Sequence, residues 1–577
     1  MSSSDDRARR PGTGQASADQ EAAGDFAGAL DLLLTDGALG VLRRFRPDGA
    51  GLRLAASLAR RPQLVGSQLA LLGTQLAQIA AGRSELAPAR RDRRFSEPAW
   101  SQSPVHKRVM QAYLAGGQAA EELLAGAELD WRDNERLHFT LTNLVAAAAP
   151  SNNPLLNPLA LKALVDTGGV SAARGLRAFV RDLATQPRVP AMVEPDAFEV
   201  GKDLAVTPGA VVYRTEMFEL LQYAPATEQV FRYPVVMVPP MINKYYITDL
   251  APGRSMVEYL VSQGHQVFAI SWRNPDERHS GWNLDSYGQS IIDALEVARD
   301  ISGAAKASVC ALCSGGIATA MVGAHLSAIG GLDEVASICL GVTVLDQARA
   351  GTAGAMIDEA TANAAMAVSR ARGYLDGRAL AEVFAWLRPD DLIWNYWVNN
   401  YLQGKTPPPF DILYWNADTT RLPAALHADF IRLALANALT VPDAATMLGS
   451  PVDLSKVDVD AYVIAGVADH LCPWQSCYRT TQMLGGATTF VLSTSGHIAS
   501  MVNPPGNPKA TFHTAPDNPP DPRDWQTAAQ VVSGSWWPHY SAWLGERSGG
   551  RRKARARLGK KGYDVLAPAP GTYVHDR

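Results

Sequence analysis

The sequence predicts an α/β protein: a largely parallel sheet carrying an inserted cap, preceded by a mostly helical region. Three observations point there. Short apolar runs alternate with helical stretches from about residue 234 onward, helical periodicity dominates before residue 200, and a long interruption separates the last strands from the rest.

In chain order, residues 1–24 are rich in Ser, Gly, Ala and charge and are expected to form a disordered tail. From Phe26 to about Gly82 the pattern is helical: Leu64, Leu69, Leu71, Leu72, Leu76 and Ile79 recur at three- and four-residue steps, as expected of helices packed on a neighbour, with a surface-binding amphipathic helix as the alternative. More helix is expected to about residue 186, broken at Pro150-Ser-Asn-Asn-Pro154. Residues 25–200 thus form a helical N-terminal domain and 201–577 a sheet domain. Pro234-Val-Val-Met-Val-Pro239 suits a strand buried on both faces. Helix 255–262, strand 265–271, helix 285–301, strand 307–312, helix 317–329 and strand 335–344 follow. The alternation resumes at Val459–Ala465 and Thr489–Leu492, so about 345–450 are an insertion over the ligand edge of the sheet. Arg551-Arg-Lys-Ala-Arg-Ala-Arg-Leu-Gly-Lys-Lys561 carries seven basic residues in eleven, and about 548–577 are expected to be a basic tail, solvated or, as the alternative, in a specific anionic contact.

Composition narrows the function classes. The 577 residues are 47% hydrophobic and 19% charged, enough for a large core and two to four domains. Lys plus Arg total 53 against 57 for Asp plus Glu, a formal charge of −4, so no basic excess suggests nucleic acid. Five cysteines do not make a disulfide scaffold and fit a reducing compartment. The polar start reads as no signal peptide, and no apolar run approaches the roughly 18 residues of a membrane span.

Chemistry concentrates at Val309-Cys-Ala-Leu-Cys313-Ser-Gly-Gly316, where a strand meets a helix. A nucleophile elbow needs such a turn, with small residues after the nucleophile and its following amide, here Ser314, facing the developing oxyanion. Cys313 stands where the motif usually has Ser, and Ala311 where it has the first Gly. Three other readings stay open. Cys310 and Cys313 have a redox C-x-x-C spacing, Cys313 could be a buried core thiol, and zinc would need two further ligands, none near in sequence. Asp469 directly follows one late strand and His497, after Ser495-Gly496, the next. Nucleophile, acid, histidine is the chain order of α/β-hydrolases, with His497 as base and Asp469 as its orienting partner. After the first strong strand, Pro239-Pro-Met-Ile-Asn-Lys-Tyr-Tyr246 makes the Ile242 amide the candidate second oxyanion donor, against an ordinary proline turn.

The sequence resembles the polyhydroxyalkanoate synthases over nearly all of residues 100–577. The likeness is carried by Val238-Pro-Pro-Met-Ile-Asn-Lys-Tyr-Tyr-Ile247, Ser271-Trp-Arg-Asn-Pro275, Cys313-Ser-Gly-Gly316, Trp394-Asn-Tyr-Trp-Val-Asn-Asn-Tyr401, Phe410-Asp-Ile-Leu-Tyr-Trp-Asn416, Asp469-His470, Ser495-Gly-His-Ile498, Ser535-Trp-Trp537 and Ala569-Pro-Gly-Thr-Tyr573. The resemblance implies an α/β-hydrolase fold and Cys313, Asp469 and His497 as catalytic residues, with Ser314, Ile242 and His470 around the oxyanion and substrate. It implies no cofactor or metal. The implied reaction joins (R)-3-hydroxyacyl groups from CoA thioesters into a polyester, releasing CoA, with a cytoplasmic enzyme, active as a homodimer, at the granule surface. Several segments, among them Asp418-Thr-Thr-Arg-Leu-Pro423 and Asn503-Pro-Pro-Gly-Asn-Pro-Lys509, resemble the branch using medium-chain units. Trp386, Trp394, Trp397 and Trp415 are expected mainly to pack the cap core, with an apolar lid as the alternative.

Overall fold

A computed structural model describes residues 34, 37–40, 49–90, 92–347, 359–469 and 471–577. The expected tail over 1–24 lies outside the described residues. Helices α1 (Gly49–Ala59), α2 (Pro62–Ala80), α3 (Pro104–Ala125), α4 (Trp131–Ala147), α5 (Pro158–Asp166) and α6 (Val170–Ala184) precede the first strand. Proline at the first turn of α2, α3 and α5 sits where its missing N–H costs nothing. Asp130 and Asn157 cap α4 and α5 by accepting backbone N–H bonds.

The sheet begins earlier than the sequence suggested. It contains β1 (Gly209–Arg214), β2 (Phe218–Tyr223), β4 (Val235–Val238), β5 (Val267–Trp272), β6 (Ala307–Leu312), β7 (Val335–Gly341), β8 (Ala461–Gly466), β9 (Thr488–Ser493), β10 (Thr511–Thr514), β11 (Gln530–Ser533) and β13 (Ala567–Pro568). Two further segments, β3 (Gln229–Phe231) and β12 (Arg551–Lys553), pair with each other. The order is β11-β10-β9-β8-β7-β6-β4-β5-β2-β1-β13. Strands β5 to β9 form a parallel centre with β4, and antiparallel strands extend both edges. Strands β4, β5, β6 and β8 are buried along their whole length, which is why they read as unbroken apolar runs.

Crossover helix α7 (Leu284–Ser302) starts at an Asn283–Ser286 capping box and ends at left-handed Gly303. Helix α8 (Ser314–Ile329) follows β6 and is buried on nearly every side. Between β7 and β8 lie helices α9 (Glu359–Arg372), α10 (Gly377–Leu387), α11 (Asp411–Ala417) and α12 (Ala424–Ala436), with two π-helical turns at Asp390–Trp394 and Trp397–Leu402.

The solvated basic tail over 548–577 is corrected. Strand β12 pairs antiparallel with β3, and β13 with β1. Arg552 and Arg555 donate to the carbonyls of Ser302 and Ile301, and Lys560 pairs with Asp300 at 3.6 Å. The basic run thus satisfies and neutralises the carbonyl end of α7, a role invisible to a count of charges along the chain.

Candidate active site

At the end of β6 the backbone turns sharply: Cys313 has φ +51° and ψ −120°, a conformation that L-residues avoid. Its N–H donates to Gly341 O at 2.9 Å, and the next residue already begins α8. Two glycines make the turn possible. A Cβ on Gly315 would stand 2.6 Å from Pro239 O, and one on Gly316 2.0 Å from Thr343 Oγ1. Ala311 is fully buried in β6, so its methyl is accommodated where the motif usually has glycine.

Asp469 and His497 reach this elbow from the ends of β8 and β9. His497 Nδ1 lies 2.7 Å from Asp469 Oδ2, and both residues are buried. The other carboxylate oxygen, Oδ1, accepts the N–H groups of Leu471 and Cys472 at 2.8 and 2.9 Å, which fixes the carboxylate plane. His497 opens a short helix, His497–Met501, that is clamped from outside. Trp536 Nε1 donates to Ser500 O at 2.7 Å and Trp537 Nε1 to Met501 O at 3.1 Å, while within the helix Ser500 Oγ donates to His497 O at 2.8 Å.

One member of the constellation was not foreseen. Cys472 brings its sulfur beside the Cys313 sulfur and the His497 ring, the three ligand atoms lying within 4.8 Å of one another. Sequence reasoning passed over it because it sits in a loop three positions after Asp469. A thiol so close behind the expected acid was the only signal. A hydrogen bond from the Cys472 thiol, with help from His497 and the Ser314 amide, outweighs burial and holds the Cys313 thiol down at about 5. The same hydrogen bond, together with burial, pushes Cys472 well above the ordinary thiol range. Burial opposes charge on His497, but Asp469 and Cys313 outweigh it and raise the ring to about 10. Each group thus favours the charged form of the other, the sulfur as thiolate and the ring as imidazolium.

The redox reading of Cys310 fails on geometry. Cys310 is fully buried within β6 opposite Cys339, and the two thiols interact with each other.

The loop after β4 closes another side of the site. Met241 N–H donates to Ser314 Oγ at 3.0 Å, and Thr420 Oγ1 donates to Met241 O at 3.1 Å. Trp415 Nε1 donates to Lys244 O at 2.7 Å, and buried Lys244 Nζ donates to Asp576 O at 2.5 Å. Ile242 lies between these anchors and lines a cavity of about 290 Å³ together with Cys313, Cys472 and His497. His470 lies outside the described residues. The cavity walls are mostly apolar, with Phe384, Phe410, Ile412, Leu413 and Trp415 contributed by the cap. Of the four tryptophans singled out above, only Trp415 lines it. Trp386, Trp394 and Trp397 instead form a chain of edge-on contacts leading away to Phe179 and Tyr401.

A thiolate on a strand-to-helix elbow can take an acyl group from a thioester and pass it to a hydroxyl. Parallel sheet, elbow and the order of acid and histidine along the chain together define an enzyme of the α/β-hydrolase fold with cysteine in the nucleophile position. A family model for the alpha/beta hydrolase fold matches residues 234–504, and one described as the N-terminus of poly-beta-hydroxybutyrate polymerase (PhaC) matches residues 91–260. Poly(3-hydroxyalkanoate) polymerase 1 of Ectopseudomonas oleovorans is 46% identical over 519 residues, spanning 90% of this chain and 92% of that protein. The poly(3-hydroxyalkanoate) polymerase subunit PhaC of Cupriavidus necator is 41% identical over 503 residues, spanning 86% and 85%. The chain belongs to the poly(3-hydroxyalkanoate) polymerase family.

Proposed function

We propose that this enzyme joins (R)-3-hydroxyacyl groups, delivered as CoA thioesters, into a polyhydroxyalkanoate chain carried on Cys313. The observation that supports it best is the Cys313 sulfur set beside the His497 ring and opening on an apolar cavity of about 290 Å³. In loading, the Cys313 sulfur attacks the thioester carbonyl, and the Ser314 and Ile242 amides stabilise the oxyanion. The carbon–sulfur bond to CoA breaks, and the CoA thiolate takes the proton held on His497. In elongation, the 3-hydroxyl of another unit gives its proton to His497 and attacks the Cys313 thioester, forming an ester and returning the thiolate. Exchange between thioesters is nearly balanced while ester formation runs downhill, so cysteine suits both halves. Asp469 keeps the ring oriented and its charge stabilised throughout.

The apolar cap wall supports preference for medium-chain units, since each buried methylene is worth about 0.8 kcal/mol. The same reading places the active enzyme as a homodimer at the surface of cytoplasmic polyester granules; among the described residues no helix is long and apolar enough to cross a membrane. The decisive experiment follows CoA release and insoluble product together when purified protein meets 3-hydroxydecanoyl-CoA or 3-hydroxybutyryl-CoA. Polymer rich in the longer unit is expected when the two compete at equal concentration. Free hydroxy acid without polymer would instead identify a hydrolase on this fold.

A further inference from the structure

We propose that Cys313, Cys472 and His497 form a binding site for a single thiophilic cation of the Zn²⁺ type, whose occupancy switches acyl transfer off. Beyond the Cys310–Cys313 spacing the sequence offered no further ligand nearby, yet the fold brings two to Cys313 from distant positions. The two sulfurs and a ring nitrogen lie within 4.8 Å of one another. A tetrahedral zinc ion with two sulfurs and one nitrogen holds these atoms roughly 3.5–3.8 Å apart, so small side-chain rotations close the site.

The surroundings are those of a built site. Asp469 holds His497 Nδ1 at 2.7 Å, leaving Nε2 as the ligand and supplying the carboxylate that zinc-binding histidines commonly have behind them. Cys472 is tied to the same carboxylate through its own N–H at 2.9 Å, so ligand loop, acid and ring form one rigid unit. The fourth position opens into the cavity, where water or another thiol completes the shell. Two thiolates and an imidazole favour Zn²⁺ or Cu⁺ over Mg²⁺ and Ca²⁺. On binding, Cys472 releases its proton to solvent and its sulfur bonds the ion. The ion then occupies the sulfur lone pair that attacks and the nitrogen that takes the proton. Inhibition is reversible by chelation and involves no oxidation.

The test uses the full chain with Co²⁺ as a spectroscopic probe and Zn²⁺ measured against a chromophoric chelator. The expected result is a single bound ion with thiolate-to-cobalt charge-transfer absorption, and Zn²⁺ affinity weakened about tenfold or more in Cys472→Ser but unchanged in Cys310→Ala. Equal Zn²⁺ affinity in wild type and Cys472→Ser, or a cobalt spectrum without thiolate absorption, would overturn the proposal. Should Cys472→Ser fail to fold, alkylation of Cys313 by iodoacetamide in the wild type decides. Zn²⁺ should slow it about tenfold or more, and an unchanged rate rejects the site. None of these readouts depends on polymer being made, so failure of the metal site and failure of the polymerase reading remain distinguishable.

Discussion

The neighbours of Cys313 favour its ionised form. A free thiol titrates near 8.5, whereas this one is held at about 5. Because its pKa is lowered, the reactive thiolate appears as pH rises through about 5 and is already complete at neutrality. Iodoacetamide should therefore alkylate Cys313 with a midpoint near pH 5, read by mass spectrometry of the modified peptide. A midpoint near 8 would show that the Cys472 and His497 contacts do not act as described. The same logic separates the partners. Asp469→Asn should slow elongation more than loading, since an ionised thiol needs less help than a hydroxyl, while His497→Gln should block both. Single-turnover acylation followed by CoA release over many turnovers distinguishes the two. At this scale Cys313, Asp469 and His497 were legible because each stands at an element boundary. Cys472 was not, because its importance comes from a contact that no spacing encodes.

At the scale of elements, the elbow is set by what glycine leaves out. Adding a methyl at Gly316 puts it 2.0 Å from Thr343 Oγ1, so Gly316→Ala should cost about 1–3 kcal/mol. Urea unfolding measures this, and Gly316→Ala with Thr343→Ala should recover part of the loss; an additive double variant would show that the two do not meet. The central parallel strands were readable from sequence within a few residues because burial on both faces removes polar positions. The antiparallel flanks were not. Strand β2 is entirely buried yet carries Glu219 and Gln222, and reads as mixed. Glu219 tolerates burial because Arg214, across the β1–β2 turn, and the N–H groups of Thr572 and Tyr573, distant in sequence, satisfy it.

At the scale of the whole molecule, the N-terminal helices dock on the cap through close backbone contact. A Cβ on Gly175 in α6 would lie 1.8 Å from Tyr401 O, within the Trp397–Leu402 turn, while Tyr401 OH donates to buried Asp182 at 2.8 Å. Gly175→Val should loosen this docking by about 1–3 kcal/mol. Limited proteolysis between α6 and β1 should then accelerate roughly tenfold, with proteolysis tracking the open population. An unchanged cleavage pattern would show that the contact does not hold the two parts together. Composition could not reveal this docking, since it depends on which residues oppose one another across the two parts.

The anchoring of the loop after β4 and of the His497 helix also sets an order in time. Lys244 and Ile242 leave the ribosome long before Asp576, whose carbonyl receives the Lys244 ammonium, and His497 leaves before Trp536 and Trp537, which clamp its helix. A nascent chain that already contains thiol, acid and imidazole still lacks the parts that hold them. The site's support is therefore completed late in synthesis, when residues 536–576 fold back onto elements made before them.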